Sequence, residues 1–465
     1  MTFILPIIFK RSLLYLSIAF LFSCAKSENS NPAVVPPVVV EKDPAQYGTP
    51  FKSVPSGQDA TIYQVNMRVF SPNGDFKGVV ARLDSIKALG ANVIYLMPIH
   101  PVGVLKGVNS PYCIKDYKGI NAEFGNIDDL RAIVDGAHNR NMAVIMDWVG
   151  NHTAYDNAWT SNKSWYLQDN GGNIVSPPNT GWNDVAQLNF DNKEMRLAMI
   201  KAMKYWVFTA NIDGYRCDYT DGPPLDFWKQ ALDTLKNIST HKFLMLAEGS
   251  RTTNLNQGFD LNFGFNFFDK MKSVYGKSQA ATLIDDVNFQ EYNGVATGKQ
   301  VVRYTTNHDV NGAEGTPQEL FGGEKGALGA FVIAAYMNGT PMIYNGQEVA
   351  FPTRLTFPFT STKINWSINP ATTAVYKKII ALRNNSDALK KGTLTSFTNT
   401  DVCAFTKELG TEKLLVICNV RNSNIDFKIP TALVNSKWTD ALNGGNLTVS
   451  DKITLQPYSY LVLKN

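Results

Sequence analysis

Carboxylates, histidines and a single arginine recur in four short segments of this chain: Asp147-Trp-Val-Gly-Asn151-His152, Gly214-Tyr-Arg216-Cys-Asp218, Ala247-Glu248 and Thr306-Asn307-His308-Asp309. Arg216 and Asp218 are two apart on a strand-like run, so their side chains share a face. A guanidinium there is expected to keep Asp218 ionised, as a nucleophile requires. Glu248 ends the run Phe243-Leu-Met-Leu-Ala247. That apolar setting is expected to raise its pKa, which suits a general acid/base. A carboxylate and a carboxylic acid held apart in pKa suit the breaking of a carbon–oxygen bond that needs a proton on its leaving oxygen. Taken singly, each fragment reads as readily as an ion pair, a helix cap or chance. Their conjunction at strand ends, in order, carries the argument.

The elements that must position these groups alternate. Strands are expected at Ile62–Phe70, Ala91–Met97, Met142–Asp147, Ile212–Cys217, Phe243–Ala247, Val301–Tyr304 and Met342–Tyr344. Helical spacing is read at Val79–Leu89 (stopped by Gly90), about Ile127–Asn139, Glu194–Thr209, Leu225–Asn237 and Lys325–Met337. Strands alternating with helices imply a parallel sheet, and site residues at strand ends imply a (β/α)8 barrel. About forty residues after Asp147 have little period and are too long for an ordinary connection. Trp159, Trp165, Tyr166 and Trp182 sit there and can either stack on a ligand or form the mini-core of a loop. Past about Gly392 short strands with turns between them predict an antiparallel β module.

Taken together, the four segments resemble the α-amylase family (family 13) of retaining glycoside hydrolases, over about Ile62 to Arg383. The resemblance implies an α/β fold: a (β/α)8 TIM barrel, a small subdomain inserted after strand 3 and a C-terminal antiparallel β domain. It implies Asp218 as nucleophile, Glu248 as acid/base and Asp309 as transition-state stabiliser. Tyr112, His152, Arg216 and His308 are implied as substrate-positioning residues. The expected substrate is a starch-like α-glucan or maltooligosaccharide, with transfer to sugar, or cyclic and short substrates, as the alternative. No cofactor is needed for the chemistry. Asn151 matches a family calcium ligand, but Gln187 stands where an Asp ligand is common. Asp221-Gly222, followed by Pro223-Pro224, stands where many members carry Lys-His. These departures put both calcium and the leaving-side contacts in question. Asn73 and Asp75 offer either a different calcium loop or a plain turn. Asp147 is expected to be structural, holding Arg216 or the loop backbone.

Residues 1–23 read as a signal peptide, with Lys10-Arg11 before an apolar run. Leu21-Phe-Ser-Cys24 resembles a bacterial lipobox, making Cys24 a lipidation site. Residues 24–57 are rich in Ser, Asn, Pro and Val and form an expected tether. The catalytic barrel is then expected over 58–390, with the insertion at about 149–190, and a β-sandwich domain over 391–465. The chain is expected to be exported and membrane-anchored, at the outer membrane or cell surface of a Gram-negative bacterium, and monomeric. A net charge of +4, part of it in the leader, with no long basic stripe, gives nothing for nucleic acid to bind. Five cysteines occur. Cys113 and Cys217 are expected as buried thiols. Cys403 and Cys418 flank Gly410-Thr411 symmetrically, which admits a disulfide or two small side chains facing a core.

Overall fold

The computed structural model describes residues 42–465; Cys24 and the leader and most of the tether lie outside them. Eight parallel strands close a barrel: β1 (Ile62–Val65), β2 (Val93–Leu96), β3 (Ala143–Val149), β4 (Gly214–Asp218), β5 (Leu244–Ala247), β6 (Leu261–Phe263), β7 (Gln300–Arg303) and β8 (Thr340–Tyr344). Each is buried along its whole length. That is why they read as apolar runs rather than as alternating ones. Register places Asp147 beside Arg216, and Val149 beside Asp218, across β3 and β4. Gly214 starts β4 with φ +148°, and a Cβ there would lie 2.0 Å from the Leu244 carbonyl oxygen. Only glycine lets β4 and β5 approach this closely.

The helices between strands start and stop on local signals. Asn126 and Asp129 make a reciprocal cap for Ile127–His138, and Gly90 ends Leu83–Leu89 in the left-handed region. Three expectations are corrected. The first strand ends at Val65, because the Asn66 N–H bonds Asn345 Oδ1 and Met67–Phe70 turns into a short buried helix. The helix expected over Val79–Leu89 is two pieces, Phe76–Val80 and Leu83–Leu89. The barrel strand missing from the sequence reading is β6, whose three residues are too few to show a period. Asp75 accepts from the Gly78 N–H at 2.8 Å and caps Phe76–Val80, so that segment is a turn and a cap.

Between β3 and the helix Lys193–Ala210, His152–Ala154 pairs with Val185–Gln187 to close the inserted loop. Trp159 packs edge-to-face on Trp165 and lies against Tyr117, a mini-core. The C-terminal residues form a six-stranded antiparallel sheet and a two-stranded one, Ile425–Lys428 with Lys452–Leu455. Val402, Leu415, Phe427 and Trp438 belong to a second core there. Tyr458 stacks on Tyr275 of the barrel's outer helices at 5.9 Å. Cys403 and Cys418 are direct partners across Val402–Leu409 and Glu412–Asn419. Both are buried free thiols, as are Cys113 and Cys217.

Candidate active site

Arg216 is the hub. Its side chain is fully buried beneath the open end of the barrel. Nη1 donates to Asp147 Oδ1 at 2.7 Å and to Asp218 Oδ1 at 2.8 Å, and Nη2 donates to Glu248 Oε1. Asp147 is structural, as expected: it is wholly buried, and its other oxygen accepts from the hydroxyls of Tyr95 (2.6 Å) and Tyr112 (3.0 Å). One guanidinium thus serves three carboxylates. Burial, then the Glu248 carboxylate, push Asp218 well above the usual carboxylate range, against the pull of Arg216. The simple division expected from sequence does not hold in the free protein. Glu248 is not in an apolar setting; besides Arg216 it accepts the Tyr219 N–H at 3.0 Å. With three carboxylates on one guanidinium, the cluster is short of positive charge.

His308 is oriented from both sides. The Gln64 amide reaches Nδ1 at 2.8 Å, and Nε2 lies 2.6 Å from the Tyr112 hydroxyl and 3.2 Å from Asp309 Oδ1. With Gln64 donating to Nδ1, the proton sits on Nε2 and the chain runs His308 to Tyr112 to Asp147. Burial pushes His308 down to about 4, so it is neutral. The rings of Tyr112 and His308 stack at 5.4 Å. His152, also pushed by burial to about 4, bonds the Tyr112 backbone. Asp309 projects into the open, with 58% of its side chain exposed.

Asp218, Glu248, Asp309, Tyr112, His152 and His308 all line one cleft of about 880 Å³; Arg216 lies under its floor. Sequence reasoning missed Gln64 and Tyr95, although a polar Gln64 inside an apolar strand run was a readable signal. It also passed over Tyr219 and left Trp182 undecided. Both line the cleft, as do Phe265 and Phe357.

Asn151, the expected calcium ligand, has another partner. Its Nδ2 donates to Gln187 Oε1 at 3.0 Å. Gln187 Nε2 in turn lies 3.0 Å from Asn151 O, 3.2 Å from Asn151 Oδ1 and 3.0 Å from Leu188 O. Three neutral oxygens therefore converge on an amide nitrogen. Calcium prefers several oxygens, some anionic, so these residues do not fit that ion.

A sequence model described as "Alpha amylase, catalytic domain" matches residues 23–174 and 179–366. Alpha-amylase 2 of Dictyoglomus thermophilum is 27% identical over 404 residues, covering 82% of this chain and 69% of its own. A cyclomaltodextrin glucanotransferase of Thermoanaerobacterium thermosulfurigenes is 26% identical over 448 residues, covering 83% of this chain and 61% of its own. The crystal structure of a maltogenic α-amylase from Thermotoga neapolitana superposes with a TM-score of 0.78 at 25% identity, covering 88% of this chain and 99% of that one.

Proposed function

The chain belongs to the α-amylase family of glycoside hydrolases, and from that premise we propose that it cleaves α-1,4-glucosidic bonds of starch-like α-glucans with retention of configuration. The observation that carries this reading is one guanidinium spanning Asp218 and Glu248. It ties both carboxyl groups to one side chain at the cleft floor. Such a pair suits a double displacement, in which one carboxylate attacks the sugar and the other group gives and then takes back a proton.

In the first step an Asp218 oxygen attacks the anomeric carbon. The bond to the leaving oxygen breaks, and that oxygen takes the proton of Glu248. In the second, water attacks the same carbon, gives its proton to Glu248 and displaces Asp218. Asp309, exposed in the cleft, is suited to hydrogen-bond the hydroxyls of the sugar while positive charge builds on its ring. Neutral His308 and His152 and the Tyr112 hydroxyl hold that sugar in register. Replacing water by a sugar hydroxyl in the second step gives transfer. This alternative is favoured by one observation: Asp221 is drawn out of the cleft by Ser250 and Arg251, so the leaving side is built unusually. The proposed setting is a lipid-anchored exported enzyme, with Cys24 as the anchor.

The test is product analysis of the protein with soluble starch, pullulan and cyclodextrins, following the anomer first formed by NMR. Retention gives α-anomers. First-formed β-anomers, or no turnover of any α-glucan, would overturn the reading, and rapid disproportionation of maltooligosaccharides would favour transfer.

A further inference from the structure

Trp159 does more than pack into the mini-core of the inserted loop. Its side chain stays half-buried, and it lines a hollow of about 510 Å³ together with Lys115, Asp116, Tyr117, Lys118 and Asp156. None of the residues around this hollow lines the cleft. A volume of that size is ordinary for a small-ligand site. The hollow is also prebuilt. The Trp159 backbone N–H donates to Asn157 Oδ1 at 2.9 Å, and Asn157 Nδ2 donates to the Ile114 carbonyl at 3.1 Å. Asp156 Oδ2 accepts from the Val104 N–H at 3.2 Å and pairs with Lys115 at 3.2 Å. Asp116 Oδ1 accepts from the Lys118 N–H at 2.8 Å. Three polar groups are left without a hydrogen-bond or ion-pair partner among the described residues. They are the Trp159 indole N–H, Asp116 Oδ2 and the Lys118 ammonium, which lies 5.7 Å over the Tyr205 ring.

The lining chemistry selects the ligand. Two ammonium groups and two carboxylates surround the hollow, so it carries no net charge. An anion would meet Asp116 and Asp156, and a cation would meet Lys115 and Lys118. A neutral ligand rich in hydroxyls suits both kinds of group, because each hydroxyl donates and accepts. The rings of Trp159 and Tyr117 suit the C–H faces of such a ligand. We propose that this hollow is a second glucan-binding site, filled by a stretch of the same polymer that is cleaved in the cleft. The inference rests on the glycosidase reading above. One contact joins the two sites. Tyr117 lines the hollow and its hydroxyl donates to the His152 carbonyl at 2.9 Å, while His152 itself lines the cleft. A long chain held in the hollow is thereby presented to the cleft at a raised effective concentration. A short oligosaccharide bound in the cleft gains nothing from it.

The test compares soluble starch with the shortest maltooligosaccharide that the protein turns over. Trp159→Ala removes the ring. Asp116→Ala combined with Lys118→Ala, both exposed residues, removes the polar rim and serves if the first variant folds poorly. For each, kcat/KM on starch is expected to fall at least about threefold more than on the oligosaccharide, through a raised KM with kcat unchanged. Trp159→Tyr is expected to recover most of the loss. A loss on starch no larger than that on the oligosaccharide, in folded protein, would overturn the second site. So would a wild-type protein that cleaves oligosaccharides but not starch. A wild-type protein that turns over no α-glucan would instead overturn the glycosidase reading, and this inference with it.

Discussion

At the scale of single residues, the site is a contest for one positive charge. Arg216 contacts Asp147, Asp218 and Glu248, and desolvation makes each uncompensated negative charge costly. Removing one carboxylate charge should therefore relieve the fold while it destroys the chemistry. Asp218→Asn keeps an oxygen for Arg216 Nη1 and deletes the proposed nucleophile. Turnover of maltooligosaccharides is expected to fall by at least about a thousandfold, with a melting temperature unchanged or raised. Retained activity would mean that Asp218 is not the nucleophile; a strongly lowered melting temperature would mean that its charge supports the fold. The identities of these residues were legible in the sequence, because Arg-x-Asp on a strand and Glu or Asp at a strand end are local patterns. Their electrostatics were not. Arg216 reaches Glu248 across 32 positions of chain, and no local pattern shows that a guanidinium placed for one carboxylate also serves another.

At the scale of elements, the insertion after β3 is closed by an amide pair. Gln187 donates to Asn151 and Leu188 and accepts from Asn151, tying His152–Ala154 to Val185–Gln187 and so holding His152 and Trp182 over the cleft. A chelator is expected to leave the melting temperature of the wild-type protein unmoved. Gln187→Glu, nearly isosteric, turns a carboxylate toward three acceptor oxygens. It is expected to destabilise by about 1–3 kcal/mol, with part of the loss recovered in millimolar calcium. A wild-type melting temperature that falls with chelator would overturn this account. The alternation of strands and helices was legible because short apolar runs and the helical period of 3.6 are written locally. Leu261–Phe263 was not, since its strand identity comes from pairing with β5 and β7. Nor was the end of β1, where Asn345 from beyond β8 intercepts the Asn66 N–H.

At the scale of the whole molecule, the C-terminal sheets are docked on the barrel through buried polar contacts as well as rings. Lys407, 1% exposed, reaches Asn338 Oδ1 at 2.6 Å. Burial, with Arg383 nearby, pushes its ammonium down to about 7. The unfolded chain holds this proton up to about pH 10.4. Between about pH 7 and 10.4 the unfolded state binds more protons than the folded one, so this group's contribution to stability rises with pH through that window. Lys407→Met keeps the packed stem and removes the buried charge. It is expected to stabilise by about 2 kcal/mol at pH 6, the gain shrinking to nothing above about pH 10.4, as read from denaturant unfolding at several pH values. A variant equally stable or weaker at pH 6 would show that the ammonium is well solvated where it sits.

The chain by itself determined which side chains are candidates for chemistry and in what order of strands and helices they are carried, because side-chain type and short-range pattern are local properties. That is why Asp218, Glu248, Asp309, Tyr112, His152 and His308 could be named before any were seen to share a cleft. Tertiary structure decided how their charges are balanced, what fills the place between Asn151 and Leu188, and which of four loop aromatics faces the cleft. Each of these depends on groups far apart in sequence meeting within about 3–5 Å in a low-dielectric interior, where a single close neighbour outweighs everything the local sequence specifies.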